Sequence, residues 1–276
     1  MTVQCRAALI ALLLLASVSS GAVAQREATL LSGHDLALLG EATAGAAALT
    51  LLDTRIARSI SDSAFHARHP GIVTAANRAS LATETVLMLT GGTVYTLARI
   101  RKDEGVADVA LHTTEAVAGG ALFIQVVRGA LGRARPYVVD DAGERRNTDP
   151  YDVGFMRGFT SYDYRSFPSM HAMASFAAAT ALTQEMRLRD TPHRRIIGPA
   201  LYVGAAMPAL ARLYLDEHWT SDVLMGAFIG IFAGQKAVLY SHEHPDNRVD
   251  HTFLGPRLNA TLRHGTRGWM LSLMPF

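Results

Sequence analysis

The sequence predicts an all-α fold: a bundle of about six core helices, closed by a short C-terminal extended or β-hairpin tail. Three observations point there. Long apolar stretches of helical length recur along the chain, charged residues make up only 18% of it, and apolar–polar alternation is confined to its end. With 276 residues, 49% of them hydrophobic, one sizeable core can be buried.

The elements follow in order. Arg6 precedes an apolar run from Ala7 to Ala16, and Ala22-Val23-Ala24 fits a small-residue cleavage site before Gln25. This is the order of a secretory signal, so residues 1–24 are read as a signal peptide, residues 25–245 as the helical domain and residues 246–276 as the C-terminal extended tail. The single cysteine, Cys5, would leave with the signal. The mature chain then has no thiol, disulfide or cysteine-based metal site. An exported protein is expected, either periplasmic or membrane-associated and facing the periplasm.

Six helices are expected, at residues 34–53, 80–100, 106–132, 169–187, 194–213 and 218–240. A polar, irregular segment with Pro136 and Pro150 occupies 133–167. A membrane span needs roughly 20 apolar residues. The cleanest charge-free stretch, 196–211, is shorter and contains Pro199 and Pro208, and mean hydropathy is a moderate +0.16. Buried core helices of a compact bundle are therefore expected, with a multi-span membrane protein as the alternative. In 259–276 apolar and polar residues partly alternate around His264-Gly265-Thr266-Arg267-Gly268, as in a hairpin. A net charge of +2 selects no partner, and no nucleic acid is expected.

Three segments at the ends of apolar stretches carry the chemistry. In the first, Arg128 and Arg135 are seven residues apart, two helical turns, and Pro136 follows. Two guanidiniums on one face suit a tetrahedral oxyanion, although a basic helix end has the same appearance. In the second, Ser166-Phe167-Pro168-Ser169-Met170-His171, Ser169 is a helix N-cap and the first turn beyond it offers free N–H groups to an anion. In the third, His218 and Asp222 are an i, i+4 pair preceded by Arg212. A carboxylate on one imidazole nitrogen fixes the tautomer and leaves the other nitrogen to attack. Each segment alone has an ordinary structural reading. Together they supply charge neutralisation, nucleophile, acid and orienter, the parts of phosphoryl transfer without a metal.

These segments resemble the type 2 phosphatidic acid phosphatase (PAP2) and vanadium haloperoxidase superfamily. Its pattern is K-x6-RP, PSGH and SR-x5-H-x3-D. The matches here are Arg128-x6-Arg135-Pro136, Pro168-Ser169-Met170-His171 and Arg212-x5-His218-x3-Asp222, in the same order and over roughly residues 80–240. Arg128 replaces Lys, Met170 replaces Gly, Ala211 replaces Ser, and Asp216 and Glu217 add two carboxylates beside His218. Met170 is expected to narrow the pocket. The acidic pair is expected to repel phosphate or to raise the pKa of His218.

The resemblance implies a helical bundle of the PAP2/haloperoxidase type. It implies a phosphatase working through a phosphohistidine on His218, oriented by Asp222, with His171 as acid and then base. Arg128, Arg135, Arg212, Ser169 and the Met170 N–H would hold the phosphate. No cofactor and no metal are expected. The substrate is a phosphate ester, with a lipid phosphate favoured, and the oligomeric state is left open. A vanadate-dependent haloperoxidase and a non-catalytic phosphate binder are the alternatives. Tyr137, Tyr151, Phe155 and Phe159 are candidates to line an apolar entrance.

Overall fold

A computed structural model describes residues 32–60, 63–139, 145–244, 247–254, 258–265 and 268–275. The signal-peptide segment 1–24, with Cys5, lies outside the described residues. The helices are α1 (Gly33–Ile60), α2 (Ser63–Arg68), α3 (Pro70–Ala79), α4 (Glu84–Arg101), α5 (Glu104–Leu131), α6 (Arg157–Thr160), α7 (Met170–Leu188), α8 (Arg194–Tyr214), α9 (Thr220–Glu243) and α10 (Arg248–Phe253). The six long ones are those expected, within a few residues except that α1 runs seven residues past 53, to Ile60. The short strands β1 (Tyr137–Val139) and β2 (Arg145–Asn147) pair antiparallel within the connection from α5 to α7.

Local chemistry sets the helix ends. Thr83 and Asp103 cap α4 and α5 by accepting from the N–H groups of Val86 and Val106. Gly132, at φ +58°, closes α5 in the left-handed conformation that glycine adopts without strain. The carbonyl of Gly154 lies where a Cβ at Gly132 would fall.

Helix α7 is the centre of the bundle. Its Met173, Ala174, Ala177 and Ala181 are fully buried among Val117 and Ile124 of α5 and Ile229 and Val238 of α9. Small residues make the α7–α9 approach close. Gly226, Gly230 and Gly234 follow one another at four-residue spacing on α9, and a Cβ at each would fall 2.3, 2.3 and 2.7 Å from the carbonyl oxygens of Ser169, Met173 and Ala177. This is small-residue packing, in which backbones approach more closely than larger side chains permit.

The expectation of a compact bundle with buried core helices needs correcting. Among the described residues four helices, α1, α5, α8 and α9, are long and apolar enough to cross a membrane. Three of them, α1, α5 and α8, also carry large apolar residues on their outer faces: Leu51 is 75% exposed, Leu122 70% and Ile196 71%. Soluble monomers rarely show apolar surface on this scale. The outward faces suit a lipid environment, and the protein is read as membrane-associated. The sequence hid this because charges such as Glu115 and Arg128 interrupt the spans. In three dimensions those charges cluster at particular positions and leave the outer faces apolar.

The tail also departs from expectation. Its first part is helix α10, capped by Asn247, whose side-chain oxygen accepts from the N–H groups of Val249 and Asp250 at 3.0 Å each. This helix docks on α4, with Tyr95 Oη donating to the Phe253 carbonyl and Arg99 Nη1 donating to that of Leu254 at 3.3 Å. Beyond it, β3 (Leu258–Gly265) and β4 (Gly268–Pro275) form an antiparallel hairpin, in register from Leu258 opposite Pro275 to Gly265 opposite Gly268.

Candidate functional site

The candidate residues meet where α7 and α9 begin and α8 ends, under the connection that follows α5. Ser169 is fully buried and caps α7, with its Oγ 3.5 Å from the N–H of Ala172. Its own N–H donates to the carbonyl of Asp222 at 3.0 Å, which ties the first turn of α7 to that of α9. Met170 opens α7 but turns its side chain into the core, among residues such as Met225 and Ile229, and is 4% exposed. The expected narrowing of the pocket therefore does not occur. The N–H of Met170 stays in the first turn, where a helix has no internal acceptor for it.

His171, on the same turn, places Nε2 3.1 Å from the carbonyl of Ser80. A carbonyl only accepts, so in the neutral ring Nε2 carries the proton and Nδ1 is bare. Burial lowers the pKa of His171 to about 4, and the neighbouring charges of Arg212, Arg135 and Arg128 act the same way against the hydrogen bond to Ser80. All three candidate arginines thus bear on one imidazole.

His218 precedes α9, whose N-cap is Trp219, so His218 and Asp222 do not share a helical face as expected. The pair forms across the start of the helix instead, with His218 Nδ1 3.6 Å from Asp222 Oδ2, just past hydrogen-bond length. His218 is 3% exposed. Burial lowers its pKa to about 3; Asp222 opposes this, while Arg135 and Arg212 add to it. The expected upward shift from Asp216 and Glu217 is thus overturned: desolvation dominates, and the carboxylate that opposes it is Asp222.

Arg128 and Arg135 do not share a helical face either. Arg128 lies in the last turn of α5, its Nε donating to Gln125 Oε1 at 2.8 Å. Gly132, not Pro136, ends that helix, and Arg135 lies beyond it in the connection. Arg135 is buried with its guanidinium 4.2 Å from the centre of the Tyr162 ring. Arg212, in the last turn of α8, faces it. One oxygen of Glu217, Oε2, receives Arg135 Nη1 at 2.8 Å and Arg212 Nη2 at 2.9 Å. Glu217 therefore does not merely repel an anion. It joins the two guanidiniums through a single oxygen.

The motifs do not reveal the support behind Asp222. Arg133, 5% exposed, donates from Nη1 to Asp222 Oδ1 at 2.5 Å and from Nη2 to Asp53 Oδ2 at 2.8 Å. Its Nε donates to the Pro150 carbonyl at 2.8 Å. The other oxygen of Asp222 accepts from Ser166 Oγ at 2.5 Å and from the Trp219 N–H at 2.8 Å. Ser221 donates its N–H to Asp53 Oδ1 at 3.0 Å and its hydroxyl to Oδ2. Both aspartates are fully buried. Arg133 lies inside the first motif, but Asp53 is 80 residues away on α1 and has no local sequence signal.

The loop aromatics diverge. Phe155 is 86% exposed and Tyr151 59%, whereas Phe159 packs against Gly129 of α5. An apolar cavity of about 360 Å³ lies elsewhere, between α1, α5 and α9, lined by Leu39, Phe123, Phe228 and Phe232 among others. None of the candidate site residues lines it.

Guanidiniums, free N–H groups of a first helical turn and neutral imidazoles are the chemistry that suits a tetrahedral anion, with Glu217 as its competitor for Arg135 and Arg212. Comparison with known proteins finds the following similarities. The PAP2 superfamily matches residues 110–245. A Lipid A 1-phosphatase of Porphyromonas gingivalis is 37% identical over 116 residues, 39% of this chain. The chain spans about a quarter, 25%, of that protein's length. The crystal structure of the first transmembrane PAP2 type phosphatidylglycerolphosphate phosphatase from Bacillus subtilis aligns with 74% of this chain and 98% of its own, at 18% identity and a TM-score of 0.37. The similarity to the PAP2 superfamily thus spans residues 110–245, just under half of the chain, and includes all three motifs.

Proposed function

We propose that this chain is a phosphatase that hydrolyses a phosphomonoester or diphosphate, carried on a lipid, through a phosphohistidine on His218, without a metal in the reaction. The observation that supports this most is the convergence of His218, His171, Arg135 and Arg212 on one buried site, with Asp222 behind the nucleophile. Asp222 on the Nδ1 side leaves Nε2 of His218 as the attacking atom. A pKa of about 3 keeps this ring neutral and nucleophilic at ordinary pH. Once Nε2 bonds to phosphorus the ring becomes cationic, and Asp222 stabilises it.

In this reading Arg135, Arg212 and Arg128, the Ser169 hydroxyl and the Met170 N–H hold the phosphoryl oxygens and supply the charge neutralisation that a metal supplies in other phosphatases. His171 protonates the leaving oxygen from Nδ1, and the bare Nδ1 then takes a proton from the water that releases phosphate. Its low pKa in the free protein rises when a phosphate dianion arrives, because that charge offsets the three arginines. Lipid attachment of the substrate fits the outward apolar helices, and the relative from Porphyromonas gingivalis acts on lipid A. Residues 1–24 direct export, which places the site on the periplasmic side.

The test is phosphate release from a panel of lipid and soluble phosphates by the full chain in detergent, with and without EDTA. Wild type turns over in EDTA and is inhibited by vanadate, and His218→Ala is inactive with an unchanged circular dichroism spectrum. Normal turnover by His218→Ala would end the assignment.

A further inference from the structure

A second cluster of ionisable side chains lies at the opposite end of the bundle. Along α7, Glu185 is fourteen residues beyond His171, about 21 Å at 1.5 Å per residue. Its Oε1 stands 2.5 Å from His112 Nδ1 of α5 and 3.1 Å from His242 Nε2 at the end of α9. One donor atom from each of the three side chains lies within 4.8 Å of the others. Glu185 is fully buried and His112 is 4% exposed. The second oxygen of Glu185 is committed, since it receives Arg189 Nε at 2.7 Å.

Asp250 of α10 completes the arrangement. Its Oδ2 accepts from Asn247 Nδ2 at 2.8 Å, while its Oδ1 and His112 Nε2 are both buried without a hydrogen-bond partner, 3.5 Å apart. A neutral His112 cannot satisfy this setting. If Nδ1 carries the proton for Glu185, the bare Nε2 faces a carboxylate oxygen, and two acceptors meet. If Nε2 carries it, the bare Nδ1 meets Glu185 at 2.5 Å. A cation shared by the three inner donors removes the conflict. Nδ1 then gives its lone pair to the metal, and Nε2–H donates to Asp250, the outer-shell carboxylate that histidine ligands commonly have.

We propose that His112 Nδ1, Glu185 Oε1 and His242 Nε2 bind a divalent transition metal, Zn2+ by ligand type, which staples α5, α7 and α9 together at this end. Two imidazoles and one carboxylate with a position left for water is a recognised zinc set. A tetrahedral centre with bonds of about 2.0–2.1 Å sets its donors about 3.3 Å apart. His242 and Glu185 are near that separation at 3.1 Å, the 2.5 Å between His112 and Glu185 opens by less than 1 Å to reach it, and the His112 and His242 donors lie within 4.8 Å of each other. His242, 34% exposed at its side chain, gives the ion a path in. The site is separate from the phosphate cluster and independent of the proposed reaction.

The test uses the full chain in detergent, stripped with EDTA and dialysed. Co2+ is titrated while the visible absorption of a tetrahedral centre is followed, and Zn2+ then competes. One equivalent of Co2+ should give that band and Zn2+ should displace it. Zn2+ should also raise the melting temperature. His242→Ala, a change at a partly exposed helix end, should bind at least 10-fold more weakly and lose the Zn2+-dependent rise, as should Glu185→Gln. His218→Ala should bind like wild type. No stoichiometric binding, or binding undiminished in His242→Ala, overturns the proposal. The cluster is then a proton-sharing network around a protonated His112.

Discussion

Replacing Arg133 with Met tests the support behind Asp222. Met fills similar space but leaves Asp53 and Asp222, both fully buried, without the cation that joins them. Their remaining partners are neutral: the Ser221 N–H and hydroxyl for Asp53, and the Ser166 hydroxyl and Trp219 N–H for Asp222. Breaking a buried pair by removing one partner costs about 3–5 kcal/mol. A second route gives a similar figure. A stranded carboxylate can instead take up a proton, which at pH 7 costs about 1.36 kcal/mol for each of the roughly three pH units above its ordinary pKa, or about 4 kcal/mol. At about 2–4 °C per kcal/mol for a domain of this size, the melting temperature in detergent should fall by about 8–16 °C at pH 7.

The same reasoning fixes a pH signature. Between pH 7 and 5 that protonation becomes easier by about 1.4 kcal/mol per unit, so the deficit relative to wild type should shrink as pH falls. Arg133→Lys, which keeps the charge but not the fork, should fall between the two. Differential scanning fluorimetry at pH 7 and pH 5 on the three proteins checks this. If Arg133→Met melts within about 1 kcal/mol of wild type at pH 7, or its deficit is the same at pH 5, Arg133 is not the electrostatic link between Asp53 and Asp222.

Three further predictions follow from the same geometry. Glu217→Gln frees Arg135 and Arg212 from a competing carboxylate, so inhibition by vanadate or phosphate should tighten about 10-fold, close to 1.4 kcal/mol; unchanged inhibition would mean Glu217 does not compete for the site. His218 has a folded pKa of about 3, below its unfolded value near 6.5, so only the unfolded chain takes up this proton in that window. Its contribution to stability is complete above pH 6.5 and is lost at about 1.4 kcal/mol per unit as pH falls towards 3, so urea melts of His218→Gln should show a shallower acid dependence than wild type. Gly230→Ala puts a Cβ 2.3 Å from the Met173 carbonyl, so α7 and α9 must separate; a loss of about 1–3 kcal/mol is expected, and a stability equal to wild type would show that the helices can part without cost.

The six long helices were legible because apolar runs are local signals. Ser169 was legible as a cap in the sequence, whereas Thr83 and Asp103 were identified as caps only by the structure. The short α10 was missed because it rests on docking against Tyr95 and Arg99 of α4, a contact more than 150 residues away in sequence. The candidate residues were legible for a similar reason: each motif is a short segment at a helix end. Their relations were less so. Treating His218–Asp222 and Arg128–Arg135 as helical faces failed because α9 begins after His218 and α5 stops at Gly132.

By itself the sequence determined an all-α chain with three anion-suited segments and a histidine held near an aspartate. Those are properties of neighbouring residues, fixed by helical spacing and by side-chain type. Only the tertiary structure decided that Asp53 and Arg133 support Asp222, that Glu217 bridges Arg135 and Arg212, and that His112, Glu185, His242 and Asp250 meet at the far end. The physical reason is common to all three. A buried charge must find its partner wherever packing brings one, and packing between helices joins residues that no spacing along the chain relates.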